Sequence, residues 1–373
     1  MAGRQLVRQA EKHPRLDRPT RHGLVTHDHL GHRCSPSASR REHDGGWVRQ
    51  FCPAAGPYRR GMRLGIVGAG EVAWRHAAAA ADVAGLTLVA VTDRDPQRAA
   101  SLADRFGAQS VAGFDELLGA ADLIVVSVPH VYHEQLALRA LAAGRRVLVE
   151  KPMATTVEAC DRMFDDRLHV GQQGRFFAQV RAAREELARL GEPLLYTERR
   201  STDYSRPDRP AWFADPELAG GGIAMLVGVH SIDRACWLLG APPRAVAGTV
   251  AVPAGWSVET SAAATLYLAN GRRAHLTLVD SPAFFHETTI VCERGTLTID
   301  PAGLSVDGRR VLTVDGDQEY TASFRRQYAA ILRGEPVATP EEGRSAVAAV
   351  HALYRSAAAD GEPVPVVTAA RGG

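Results

Sequence analysis

From residue 62 the chain alternates short, continuous apolar runs with longer segments whose small apolar residues recur at helical spacing. The runs 62–67, 86–92, 123–128 and 146–149 carry no polar alternation, so they read as strands buried on both faces. Segments 71–83, 96–106 and 133–143 read as the helices between them. A short strand near Ser110, a helical turn at 114–118 and one more strand at 169–171 complete the first half. This alternation predicts a parallel sheet covered by helices on both sides. The pattern then changes. After a helix at 177–190 and a Pro-rich aromatic loop at 203–216, the triplet Gly220-Gly221-Gly222 opens a helix running to Leu239. Period-2 runs follow at 245–252, 261–269, 274–279, 288–292, 296–300 and 311–314, punctuated by Asn270-Gly271, Arg294-Gly295 and Asp307-Gly308. These predict a mostly antiparallel sheet, closed by helices near 324–332 and at 340–358.

Residues 1–61 follow neither period. They hold six of the fourteen histidines and twelve basic against five acidic residues, and they read as a disordered basic extension. Met62 begins the first strand without preamble, so the extension is expected to be dispensable. A metal site built from its histidines with Cys34 and Cys52 lacks any recognised ligand spacing, and no metal is expected. Outside the extension the balance turns to −5, with no basic stripe for nucleic acid. The five cysteines are odd in number and widely spaced, which favours a reducing cytoplasm over a disulfide framework. No apolar run approaches the roughly 18–20 residues that would cross a bilayer, so no membrane is expected.

Chemistry enters at the strand ends. Gly68-Ala69-Gly70-Glu71-Val72-Ala73 leaves the first strand and opens the first helix. Gly68 suits the tight turn, Gly70 the approach of a pyrophosphate, and Ala73 replaces a third glycine as a dinucleotide fingerprint permits. Asp93 ends the second strand, where a carboxylate binds ribose hydroxyls and favours NAD, while the adjacent Arg94 leaves NADP open. Asp93 also suits a helix cap. Ser127 and Pro129 lie where the nicotinamide-side ribose would be, and His133 reads equally as a helix start or a cofactor contact. Glu150-Lys151-Pro152 leaves the strand 146–149. A lysine desolvated at that edge can exchange a proton with a substrate hydroxyl, whereas the bland alternative is a solvated lysine at a strand end. His230, on the glycine-led helix, reads on spacing alone first as a core histidine and second as a catalytic one.

This set of motifs resembles the glucose–fructose oxidoreductase/inositol dehydrogenase (Gfo/Idh/MocA) family over about residues 62–367. The residues carrying the resemblance are Gly68-Ala69-Gly70 with Asp93, Ser127-Val128-Pro129 with His133, Glu150-Lys151-Pro152, and Gly220-Gly221-Gly222 ahead of Gly228-Val229-His230 and Asp233. The resemblance implies an α/β protein: a Rossmann dinucleotide-binding domain at 62–175, an α+β domain with an open, mostly antiparallel sheet at 176–367, and a tail at 368–373. It further implies NAD(P)-dependent interconversion of an alcohol and a ketone on a sugar, cyclitol or related polyol, in a homodimer or homotetramer. By matching position, Lys151 would hydrogen-bond the reacting oxygen and His230 would act as general acid/base. Tyr204, Trp212 and Arg175 are the candidate substrate contacts. One departure stands out: many members carry an aspartate four residues before the histidine, and here that residue is Leu226. The departure keeps one alternative in play, a non-catalytic nicotinamide-binding regulatory protein; the superfamily that the chain resembles adds a second, redox-assisted glycoside cleavage.

Overall fold

Among residues 61–367, which the computed structural model describes, the apolar runs of the first half build a six-stranded parallel sheet. Its strands are β1 (Met62–Val67), β2 (Leu86–Thr92), β3 (Gln109–Ser110), β4 (Leu123–Val126), β5 (Arg146–Glu150) and β6 (Leu168–Gly171). They lie in the order β3-β2-β1-β4-β5-β6, the doubly wound arrangement whose order reverses beside β1. Helices α1 (Glu71–Ala81), α2 (Pro96–Phe106), α3 (Phe114–Ala120), α4 (His133–Ala142) and α5 (Val157–Arg162) cross between them. All four residues of β4 are fully buried, as a strand covered on both faces requires.

The second half contains α6 (Ala178–Leu190), the strand β7 (Pro193–Thr202), a short α7 (Pro216–Ala219) and α8 (Val229–Leu239). A meander follows: β8 (Pro243–Ala251), β9 (Ser261–Leu268), β10 (Arg273–Asp280), β11 (His286–Cys292), β12 (Gly295–Asp300), β13 (Gly303–Val306) and β14 (Arg309–Thr313). Helices α9 (Gly316–Arg333) and α10 (Pro340–Ala357) and the edge strand β15 (Val364–Pro365) complete it. The nine strands pair antiparallel except where β7 runs parallel to β10. Strict alternation along β10 buries Ala274, Leu276 and Leu278 on one face and leaves His275, Thr277 and Val279 exposed on the other. The buried face packs on the helices; the open one also carries the exposed Leu195 and Phe285.

Several expectations need correction. The central strand β7 was not expected, because Glu198-Arg199-Arg200 hides its period-2 pattern behind charge. The short strands β13 and β15 were likewise unforeseen. Helix α9 starts at Gly316, well before the expected 324, since Asp315 caps its polar first turn by accepting from the amides of Asp317 and Gln318. The glycine triplet does not enter an α-helix directly; residues Ala224–Gly228 form a π-turn first. The segment Pro216–Leu239 is also long and apolar enough to cross a bilayer by composition, although 83% of its apolar window is buried inside the protein, as befits a core helix. Residues 1–60 and 368–373, including the histidine-rich extension with Cys34 and Cys52, lie outside the described residues.

The chain's end returns to complete the first sheet's covering. Phe324, Tyr328 and Ile331 of α9 pack with Ala73 and Ala77 of α1 in the same buried core as Leu64 and Ile66 of β1.

Candidate active site

The glycine turn fits a dinucleotide on two observations. Gly68 has φ +91°, and a Cβ there would sit 2.1 Å from the Ser127 carbonyl oxygen, so the β1–α1 turn closes tightly against the end of β4. Gly70 differs: a Cβ there would meet only the tip of Arg98 at 3.8 Å. Among the described residues nothing demands glycine at 70, and the turn is left open there. No side chain caps α1, which leaves its first amides, including those of Glu71 and Val72, available to phosphate oxygens. Asp93 holds this turn from the end of β2, its Oδ2 accepting from Ala69 N at 2.6 Å and its Oδ1 from Asp95 N at 2.8 Å. Asp93 thus braces the turn, whereas the cap expected of it falls to Asp95, whose Oδ1 accepts from Gln97 N and Arg98 N at 3.0 and 3.4 Å. Arg94 beside it is exposed, and an open groove runs from Ala69 and Gly70 past Trp74 to Arg98.

Lys151 leaves β5 through a cis peptide bond to Pro152. Its Nζ donates to the Leu226 carbonyl at 2.9 Å, in the π-turn just before α8. One turn further on, His230 is 8% exposed, and its Nδ1 meets Gln172 Oε1 at 2.8 Å. An amide oxygen can only accept, so Nδ1 carries the proton and Nε2 presents a lone pair. Burial, seconded by the charges of Lys151 and Arg200, pushes the imidazole well below its ordinary pKa. Burial also lowers the Lys151 ammonium to about 8; Glu150 opposes the shift, while Arg200 and Arg209 add to it. The lysine and the histidine thus share one electrostatic environment, though they come from different sheets' connections.

The glycine triplet explains why α8 reaches this place. A Cβ on Gly222 would overlap the Glu259 carbonyl oxygen at 2.0 Å, and the Glu259 carboxylate accepts from Gly222 N and Ala224 N at 2.8 and 3.0 Å. A carboxylate from the loop before β9 thereby satisfies the amides at the helix entrance.

Five expected contacts are engaged within the protein. Glu150 turns inward: its Oε1 accepts from His76 Nε2 at 2.9 Å, and His76 Nδ1 in turn lies 2.7 Å from the Tyr328 hydroxyl on α9. His133 is fully buried, with its ring nitrogens 2.8 Å from the Pro152 carbonyl and 3.0 Å from that of Val128, so it clamps the loop beside Lys151. Arg175 donates to both oxygens of Asp233 at 2.8 and 2.6 Å and to Glu342 at 2.8 Å, a buried ion cluster joining α8 to α10. Tyr204 is buried, and its hydroxyl donates to the Phe213 carbonyl. Trp212 stacks on Phe213 and meets His130 edge-on, with ring centroids 4.9 Å apart, so the Pro-rich loop closes on the mouth of the first sheet. Arg206 ties that same loop to Glu71 at 2.5 Å, while Ser127 and Pro129 stay half-buried beside the turn.

Sequence reasoning missed Gln172, Arg200 and the Glu198–Arg234 pair. Gln172 directly follows β6, as Lys151 follows β5, so the strand-end rule had the power to find it. The others sit on or against β7, whose existence went unseen.

Comparison with known proteins agrees with this geometry. Residues 62–169 match the family described as an oxidoreductase family with an NAD-binding Rossmann fold, and residues 178–298 match the GFO/IDH/MocA C-terminal domain. The chain belongs to the GFO/IDH/MocA oxidoreductase family. Among its relatives, D-glucoside 3-dehydrogenase of Escherichia coli (strain K12) is 34% identical over 48% of this chain and 55% of its own length. Inositol 2-dehydrogenase of Rhizobium meliloti (strain 1021) is 34% identical over 51% of this chain and 59% of its own. The matched part therefore spans little more than half of either relative. The crystal structure of GenD2 from gentamicin A biosynthesis, in complex with NAD, superimposes with a TM-score of 0.73 at 25% identity, covering 83% of this chain and 97% of that one. Family membership accounts for the parallel sheet, the glycine turn and the open second sheet together.

Proposed function

We propose that this family member is an NAD-dependent oxidoreductase that interconverts an alcohol and a ketone on a sugar, cyclitol or related polyol. The observation that carries the reading is that the Lys151 ammonium, at the carboxyl end of the first sheet, bonds the Leu226 carbonyl in the turn that leads into the helix bearing His230. Residues 68–72 would hold the pyrophosphate, Asp93 and Arg94 the adenosine ribose, and Ser127 and Pro129 the nicotinamide side. When bound, the nicotinamide supplies the hydride acceptor for a carbinol carbon.

The chain's own residues handle the proton. Lys151 has three N–H donors and uses one on Leu226 O, so two remain for the substrate oxygen. Its ammonium stabilises the negative charge that develops there as the O–H proton leaves. Neutral His230 accepts that proton at Nε2, and Gln172 keeps this tautomer in place. A depressed imidazole pKa keeps the ring unprotonated and open to a proton around neutrality, while lowering its proton affinity. The Leu226 carbonyl, rather than a carboxylate, then serves as the ammonium's fixed partner.

The test is to screen the full chain with NAD and with NADP against sugars, cyclitols and nucleotide sugars, following reduced-nicotinamide absorbance. Reduction of NAD by at least one polyol class is expected. Tight nicotinamide binding without turnover across the panel would favour the regulatory role instead. Glycoside cleavage with no net coenzyme change would favour redox-assisted elimination. For the assembly, the open sheet face with Leu195, Val279 and Phe285 is the surface we propose for contact between copies. A monomer by sedimentation would refute it.

A further inference from the structure

Arg200 has no side-chain hydrogen-bonding partner among the described residues. It lies on β7, in register between Leu278 of β10 and His286 of β11, and its half-buried side chain points to the same side of the sheet as Glu198. Among the described residues its guanidinium makes no hydrogen bond and no ion pair, and its Nε is buried without a partner. Glu198 attracts it, but burial and the charge of Arg234 outweigh that attraction. Glu198 is already engaged, accepting from Ser231 at 2.6 Å and Tyr196 at 2.9 Å and facing Arg234 at 3.5 Å. Arg234 in turn donates to His286 at 2.5 Å. Glu198 bonds Ser231, the residue after His230, so the side of β7 that carries Glu198 and Arg200 backs onto the His230 end of α8, and the charge of Arg200 acts on both Lys151 and His230. Lys151 thus feels the charges of Arg200 and Arg209, and Arg200 that of Arg234, while the nearby carboxylate of β7 is already bonded.

Such an arrangement is costly unless a ligand completes it, because a desolvated cation without a counter-charge is unfavourable. Burial and the adjacent Arg234 already hold the Arg200 guanidinium down at about 10. Hydroxyl groups of a neutral polyol would accept its hydrogen bonds but leave the charge excess. A carboxylate or phosphate would do both, and the planar guanidinium matches either one bidentately. The cofactor's own pyrophosphate is a weaker contender, since the arginine tied to the glycine turn is Arg206, through Glu71.

We propose that Arg200 is the specificity-determining residue of this site and that the substrate is an anionic sugar derivative, carrying a carboxylate or a phosphate that Arg200 grips. The proposal rests on the dehydrogenase reading above. It deepens that reading by fixing the substrate's charge.

The experiment compares one hexose, its uronic acid and its 6-phosphate with the full chain and NAD, in wild type and in Arg200→Gln. In wild type, kcat/KM for one of the two anions should exceed that for the neutral parent by about 100-fold, the size of a desolvated charge pair. Which anion wins distinguishes carboxylate from phosphate. Arg200→Gln should lower kcat/KM for that anion at least about 30-fold more than for the neutral parent, mainly through KM. Arg200→Lys, which keeps the charge and is the gentler change for folding, should retain part of the preference. A neutral parent used as well as either anion overturns the proposal. So does an Arg200→Gln variant that loses all three substrates equally, or one whose NADH affinity collapses, which would assign the residue to the cofactor. If no compound is oxidised, the dehydrogenase reading fails separately. Calorimetric titration of the uronate and the 6-phosphate into the NAD-loaded chain then decides the anion site: binding lost in Arg200→Gln supports it, and absent or unaltered binding overturns it.

Discussion

The Lys151 ammonium is held at 2.9 Å by the main-chain carbonyl of Leu226, the residue that stands where many family members carry an aspartate. A carbonyl fixes the direction of the ammonium but adds no full negative charge, so the lysine stays depressed near 8 by burial and by Arg200 and Arg209. With its position fixed by backbone, Lys151 is predicted to be replaceable without collapse of the site. Lys151→Ala should lower kcat by about 10²–10⁴-fold, the usual weight of a group acting on the transferred proton. NADH affinity, read from nicotinamide fluorescence, should move only a few-fold. Unchanged turnover would remove Lys151 from the chemistry.

The two pKa shifts set a pH profile with a definite sign. The proposed oxidation uses Lys151 protonated and His230 neutral, so kcat/KM should be flat around neutrality and fall above about pH 8. The acid limb should appear only well below the ordinary imidazole value, because burial disfavours protonated His230. Arg209 is one of the cations that disfavour the Lys151 ammonium. Arg209→Gln should therefore carry the alkaline limb above 8. A limb that stays put or moves down in the pH–rate profile would break the assignment to Lys151.

Gln172 is predicted to act through His230 rather than on substrate. Gln172→Leu removes the acceptor of Nδ1–H and frees the ring to take the other tautomer, in which Nε2 carries the proton and cannot accept one. A loss in kcat of about 10²-fold or more should follow, with KM little changed. Gln172→Glu is the informative partner, since a carboxylate also accepts from Nδ1. It should restore turnover and move the acid limb upward. A purely structural role would leave that limb unmoved.

Two glycines two residues apart should fail in different ways. Gly68→Ala forces a side chain into a left-handed backbone position and onto the Ser127 carbonyl, so it should destabilise the fold measurably on thermal melting. Gly70→Ala meets only the end of Arg98, so the protein should melt as wild type does yet bind NADH at least about tenfold more weakly. Equal affinities in Gly70→Ala and wild type would mean the space at 70 faces no ligand.

The parallel sheet was legible because its strands are buried on both faces and punctuated by strong signals: Gly68 after β1, Asp93 after β2 and Lys151 after β5. The candidate pair was legible for the same reason on the lysine side. For His230, spacing alone favoured a core histidine, and only the resemblance pointed to the site. What stayed hidden depends on partners distant in sequence. Glu150 looked like a cofactor contact until His76 and, beyond it, Tyr328 were found on its far side. Arg200 was invisible because β7 carries Glu198-Arg199-Arg200, and charge at buried strand positions erases the period that announces a strand. Gln172 was signalled only by its place directly after β6; its role comes from the imidazole it meets 58 residues away.

Arg175 separates a structural reading from a substrate-binding one by its own measurement. Its guanidinium makes a two-pronged bond to Asp233 and a third bond to Glu342, and Arg175 and Asp233 are both nearly inaccessible. Arg175→Ala would strand the Asp233 carboxylate without its cation in a buried place, which costs about 3–5 kcal/mol. The urea midpoint should fall accordingly, with the slope of the transition unchanged. Any rise in KM should then disappear when activity is compared under conditions where the variant is fully folded. A normal unfolding midpoint with a raised KM would return Arg175 to the substrate and leave α8 and α10 joined by other contacts.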